Sequence, residues 1–154
     1  MKDVSIMIDN VKFNYRVGII IECDNNILVE VNPDIDFVTL PGGRVKTMES
    51  SFEGLRREIN EELEFELKKE NCNLRGIIEN FFEYDNKKYH ELYFLYKTTI
   101  DINHELYNKD LVNKDSNKTY FKWVNKNELD KVNLLPKVLI DWSKTNGFDT
   151  TVLK

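Results

Sequence analysis

The 154 residues include only two cysteines and two histidines. Cys23 and Cys72 lack a metal-type spacing, and His90 and His104 make no ligand pair, so nothing points to a thiolate or imidazole metal site. Two reduced thiols are what a cytoplasmic protein is expected to carry. Long apolar runs are missing as well. The longest aliphatic piece, Gly18-Ile19-Ile20-Ile21, has the length of a strand, not of a membrane span. The segment MKDVSIMIDN shows no signal-peptide pattern. There is no internal repeat, low-complexity stretch or linker, and residues 1–154 are read as a single domain able to bury a core. Nor is there a basic stripe: the formal charge is −5, which argues against a nucleic-acid polymer as partner. A small polyanion stays open, because divalent cations and a few local Lys or Arg side chains suffice to bind one.

What is present is a succession of strand signals interrupted by two helical ones. Val4 to Ile8 and Val11 to Tyr15 read as short strands about an Asp9-Asn10 turn. Arg16 to Cys23 and Ile27 to Val31 read as a hairpin closed by Asp24-Asn25-Asn26. Phe37 to Leu40 is a further strand, expected to end in a sharp turn at Pro41-Gly42-Gly43. Leu74 to Tyr84 and Tyr89 to Thr99 form a second hairpin about Asp85 to Lys88, and Thr119 to Val124 is strand-like. Residues 101 to 118 read as a polar loop, and Pro136 to Lys144 as a closing helix with proline in its first turn. Strands interspersed with two helices predict an α/β sandwich.

The segment from Gly43 to Phe65, GRVKTMESSFEGLRREINEELEF, holds six acidic residues around one predicted helix. Ser50 or Ser51 supplies its N-cap. Phe52, Leu55, Ile59 and Leu63 recur at helical spacing and define a core-facing stripe. At 100° per residue, Glu58, Glu61 and Glu62 cluster roughly 110° away from that stripe. Like charges so placed repel: two unit charges ~5 Å apart interact by roughly 3 kcal/mol at an effective dielectric of 20. Three carboxylates on one flank are hard oxygen ligands suited to Mg²⁺ or Mn²⁺, which would remove that repulsion and grip a diphosphate. Arg57 is four residues from both Glu53 and Glu61 and can hold a carboxylate through a two-pronged contact.

The spacing resembles the Nudix hydrolase signature G-x5-E-x7-R-E-U-x-E-E-x-G-U, with U a bulky apolar residue. Gly43, Glu49, Arg57, Glu58, Ile59, Glu61, Glu62 and Phe65 match it, while Glu64 stands at the usual glycine. A looser likeness extends through F-x-x-L-P-G-G before the motif, F-K-W-V later and Leu134-Leu135-Pro136 near the end. The resemblance implies a Nudix-type α/β/α sandwich with a mixed sheet. It also implies Mg²⁺ or Mn²⁺ on Glu58, Glu61 and Glu62 with the Gly42 carbonyl, Arg57 orienting a catalytic glutamate, and Glu49 and Gly43 in support. The implied reaction is attack of water on a phosphorus of a nucleoside diphosphate linked to another moiety. At Glu64 either a left-handed residue with a Cβ is accepted, at roughly 1–2 kcal/mol, or the helix ends differently.

The substrate is not legible at this level. Phe81, Phe82, Tyr84, Tyr89, Tyr93 and Trp123 are candidates for a base-stacking platform, though aromatics in alternating strands are more often packing. Glu91 and Glu105 are candidates for a downstream acid, and Arg44, Lys46, Lys87 and Lys88 for phosphate contacts. Modified nucleoside triphosphates, ADP-ribose or another sugar nucleotide, and dinucleoside polyphosphates all fit. Alternatives are an isomerase on the same fold and a nucleotide sensor without turnover; a homodimer stays open.

Overall fold

The run of isoleucines sets the frame. In the computed structural model, which describes residues 1–154, it lies in β2 (Val11–Cys23), where Val17, Ile19, Ile20 and Ile21 are all fully buried. Consecutive aliphatic residues on both faces of a strand require cover on both sides. One face packs on α1 (Ser51–Leu63), whose Leu55, Ile59 and Leu63 meet Val17, Ile19 and Ile21. The opposite face packs on α2 (Val138–Lys144), where Leu139 and Trp142 share a cluster with Ile20. The result is the expected α/β/α sandwich.

The sheet is mixed. β2 runs parallel to β7 (Lys87–Ile100) along its whole length, β7 is antiparallel to β6 (Asn73–Tyr84), and β6 is parallel to β9 (Asp149–Leu153). On its other side β2 meets β3 (Asn26–Val31) only at Glu22↔Ile27 and Cys23↔Asn26. Beyond that point the two strands part. β3 continues against β4 (Val38–Thr39) and β8 (Tyr120–Asn125), while β2 turns its edge to β5 (Gly42–Arg44) and its start to β1 (Ser5–Ile8). This fork between β2 and β3 is the opening in which polar residues gather.

Several elements differ from the sequence reading. Tyr15 and Arg16 belong to one continuous strand, because the parallel partner β7 bridges the expected break. Gly42 and Gly43 do not simply turn; they form β5, with Gly43 opposite Val17. The Phe37 to Leu40 strand shrinks to Val38–Thr39, and α2 begins after Lys137, leaving Pro136 outside it. β9 carries no periodic signal strong enough to be read locally, and its place is set by pairing with β6.

Both ends of α1 are chemically closed. Ser50 caps the start in a capping box with Glu53, the Ser50 Oγ accepting from Glu53 N and the Glu53 carboxylate from Ser50 N. Glu64 takes the left-handed conformation (φ 53°, ψ 34°), its N–H donating to Asn60 O at 3.0 Å. The loop after β7 closes the remaining carbonyls: Lys109 Nζ donates to Leu63 O at 3.0 Å and Lys114 N to Glu62 O at 2.9 Å. These bonds offset the cost of a Cβ in a glycine conformation.

Because Ile59 is fully buried between α1 and β2, Ile59→Ala is expected to cost ~2–5 kcal/mol. Urea unfolding should show a lower midpoint with an unchanged slope. A midpoint equal to the native one would contradict this packing.

Candidate active site

The pairing of β5 with β2 brings Gly43, which has no side chain, against the acidic flank of α1. A Cβ at Gly43 would overlap the Glu58 carboxylate. A side chain here would push the Glu58 carboxylate out of its place beside Arg57. Glu58 is thereby held between α1 and β5 and is largely removed from water.

Arg57 organises the carboxylates around it. Its Nε donates to Glu49 Oε1 at 2.6 Å and its Nη2 to Glu49 Oε2 at 3.0 Å, a two-pronged contact. Nη1 donates to Glu58 Oε1 at 2.9 Å and lies 3.5 Å from Glu61 Oε2, while Nη2 also donates to Arg44 O at 3.0 Å. The forked partner is thus the loop residue Glu49, not Glu53, which is committed to the helix cap. The Arg57 guanidinium holds the Glu49 carboxyl below its ordinary range, with a further bond from Lys46 N at 2.8 Å. Glu49 strengthens the charged form of Arg57 in return.

Glu58 and Glu62 stand differently. Desolvation raises both, partly opposed at Glu58 by the Arg57 hydrogen bond. Glu62 is pushed up to about 9 by burial first, then by the charges of Glu30 and Glu58 and by a hydrogen bond with Glu58. Glu62 is only 7% exposed, and no donor group of the protein reaches its buried Oε2. A buried oxygen of this kind is costly unless something cationic meets it. Glu61, by contrast, is drawn outward toward Arg57 and half-exposed.

No three His, Cys, Asp or Glu side chains converge as a ready-made cage. That still suits Mg²⁺, which usually takes one or two carboxylates and completes its shell with water and substrate phosphate. The orphaned Glu62 oxygen beside Glu58 is the observation that makes the residues fit such an ion.

Two residues that the sequence reading missed belong to this neighbourhood. Glu30 on β3 accepts from Thr119 Oγ1 at 2.8 Å and Asn113 Nδ2 at 3.2 Å, both on Oε2, and burial raises its pKa. It is the one charge in the strand Asn-Ile-Leu-Val-Glu-Val, and that break in an apolar pattern was the available signal. Asp115 belongs to the loop that docks on α1, and its charge also acts on Glu62. The downstream acids named from sequence lie elsewhere. Glu105 is exposed in a 3₁₀ turn (Glu105–Tyr107), and Glu91 faces a separate cavity.

That cavity, about 520 Å³, opens on the α2 side of the sheet. Phe82, Tyr84, Tyr89 and Tyr93 line it with Phe37, whereas Phe81 packs on His90 and Trp123 on Tyr107. The stacking candidates therefore divide by strand face. The acidic flank does not line this cavity. Arg16 and Arg44 do, and Arg44 directly follows the Gly43 that Glu58 covers. Arg16 Nε is buried without a partner. Lys46, Lys87 and Lys88 are outside the lining.

With this geometry in place, the comparisons give the class. The sequence matches the NUDIX domain over residues 12–143. The fold is similar to that of the mutator MutT protein from Bacillus halodurans, at 20% identity and a TM-score of 0.69 over 90% of this chain and 89% of that one. RenU, a Nudix hydrolase from M. smegmatis, is 15% identical with a TM-score of 0.58, covering 93% and 92% of the two chains. The C. elegans Ap4A hydrolase is 19% identical with a TM-score of 0.50, covering 78% and 86%. Among curated proteins the sequence finds no match. The chain belongs to the Nudix family and is a hydrolase of phosphoric anhydride bonds.

The raised Glu62 predicts a pH-dependent stability for metal-free protein. Between its ordinary value of 4.5 and about 9, the unfolded chain has lost the proton that the folded chain keeps. Stability contributed by this group must therefore fall as pH rises through that window. Glu62→Gln removes the titration, so its unfolding midpoint should decline less over the same range. Parallel pH profiles for both proteins would contradict the assignment.

Proposed function

We propose that the chain is a metal-dependent pyrophosphohydrolase acting on a nucleoside diphosphate linked to another moiety. The observation that carries this reading is the unpartnered, buried Glu62 oxygen next to Glu58, in a frame fixed by Arg57 and Glu49. Glu58 and Glu62 would hold Mg²⁺ or Mn²⁺, with Glu61 at the outer side and the Gly42 carbonyl as a further ligand. When bound, the ion neutralises diphosphate oxygens and makes a water more acidic.

The protein's own residues do the rest. Arg57 keeps Glu58 in its rotamer and draws Glu49 against the start of α1, so the carboxylates are set before substrate arrives. Arg16 and Arg44 stand between the acidic flank and the aromatic cavity, where they can bind phosphate oxygens. Asp115 is a candidate for the downstream acid, since it sits on the loop docked on α1 and its charge reaches Glu62. The Cys23 and Cys72 thiols are both buried and free, in keeping with a cytoplasmic location. No helix is long and apolar enough to cross a membrane.

The test is a nucleotide screen with Mg²⁺ and Mn²⁺, scored for phosphate-containing products. Glu58→Gln and Glu62→Gln should each lower kcat by roughly 100-fold or more, since each removes a charge that holds the ion. Arg57→Lys should be milder yet still harmful, because lysine cannot make the fork to Glu49. Added Mn²⁺ should raise the melting temperature of native protein, since it binds the folded form. If both Gln variants keep native activity at limiting Mg²⁺, this helix is not the catalytic centre. Isomerised product, or binding without turnover, would assign the chain to the other chemistries this fold supports.

A further inference from the structure

Glu91 is the buried acid of the aromatic cavity, and the hydrolytic chemistry does not use it. It is 6% exposed, yet no cation of the protein pairs with it. Its one hydrogen bond comes from Asn14 Nδ2, at 2.9 Å to Oε2. Asn14 is 2% exposed and fixed in turn, because its Oδ1 accepts from Ser5 Oγ at 2.6 Å. The relay from Ser5 through Asn14 holds the Glu91 carboxylate in one orientation and leaves Oε1 without a protein donor. A carboxylate only accepts, so a hydrogen-bonding partner for it must bring N–H or O–H groups.

The neighbours define what shape those donors take. Asn80 is the direct cross-strand partner of Glu91, lines the same cavity, and makes no side-chain hydrogen bond in the protein. It can place an amide N–H beside the two carboxylate oxygens, giving a row of one donor and two acceptors. Around them stand flat rings: Phe82 and Tyr89 stack 4.9 Å apart at 7°, and Phe37 meets Tyr84 edge-on at 5.9 Å. Phe82 and Tyr84 are also 38% and 47% exposed at the cavity mouth, apolar surface that a planar ligand would cover. The cavity volume of about 520 Å³ is that of a small-molecule site.

We propose that Glu91 and Asn80 read the guanine edge of a nucleotide. Guanine presents O6 as an acceptor, then N1–H and the 2-amino group as donors, the complement of that row. Asn80 donates to O6, and the Glu91 carboxylate accepts from N1–H and the 2-amino group. Adenine and cytosine each offer a single donor group on that edge, and hypoxanthine lacks the amino group. With the base so placed, Arg16 and Arg44 lie on the way to the acidic flank, where the phosphates would run. The inference rests on the pyrophosphohydrolase reading and names the base of its substrate, making Glu91 a specificity residue and not a catalytic one.

The test is binding, separate from hydrolysis. Calorimetric titration of the full chain with GMP, IMP, AMP and CMP in Mg²⁺ should give GMP the lowest Kd, about tenfold or more below IMP. Glu91→Gln still accepts from Asn14 but turns one acceptor into a donor, so the GMP-to-IMP ratio should fall toward one. Asn80→Ala should weaken GMP and IMP alike, because both carry O6. Equal affinity of native protein for GMP and IMP overturns the proposal, as does a Glu91→Gln variant that keeps the preference. Tighter binding of phosphocholine than of GMP overturns it too, since an aromatic cage with a carboxylate also suits a quaternary ammonium. Should Glu91→Gln fail to fold, the native ranking alone decides. Hydrolysis of other nucleotides without a GMP preference would sink this inference and spare the hydrolase; a GMP preference without any hydrolysis would do the reverse.

Discussion

One guanidinium sorts the carboxylates of this molecule into two kinds. Arg57 takes both oxygens of Glu49 and one of Glu58, and it anchors itself on the Arg44 carbonyl of β5. Helix, loop and strand are thereby tied at a single planar group, a task that needs the fixed fork of arginine. Glu49 becomes a satisfied, ionised group. Glu58 is held but only half-compensated, and Glu62 is left buried with a free oxygen. The fold tolerates that last group because a proton can occupy it in the absence of metal. A rigid pair of under-compensated carboxylates is what a divalent ion can use.

The fork between β2 and β3 gives this pair something to act on. Residues on one face of β2 reach the hydrophobic layer under α1, while Asn14, Arg16 and Gly18 serve the layer and cavity on the other side. Gly18 makes room for the Tyr93 ring, and Gly43 for Glu58. Two glycines, close together on paired strands, thus admit a cavity wall and the Glu58 carboxylate on either side of the same ladder. Between them, Arg16 and Arg44 are cross-strand partners at the one place where both regions meet.

How much of this could be read in the sequence depended on range. The α1 stripe and its cap were legible because helical spacing and Ser-x-x-Glu are local. The hairpin of β6 and β7 was legible for the same reason, from alternation around Asp85 to Lys88. The Nudix spacing marked Arg57, Glu58 and Glu62, but not that Arg57 would choose Glu49 over Glu53, since that choice depends on how the loop folds back. Glu30, Asp115 and the pairing of Asn14 with Glu91 are contacts between residues far apart in the chain, fixed by strand register and loop docking. β9 and the strand character of Gly42–Arg44 were hidden likewise, because each exists through its partner and not through its own residues.

Whether the buried Glu62 carboxylate holds a divalent cation can be measured directly. Electron paramagnetic resonance of Mn²⁺, titrated into native protein, Glu62→Gln and Glu49→Gln, reads the free ion without any need for a substrate. Native protein should deplete the free Mn²⁺ signal, and Glu62→Gln should largely fail to. Glu49→Gln should fall between them, because it loosens Arg57 without removing a ligand. Depletion by Glu62→Gln equal to that of the native chain would contradict the account.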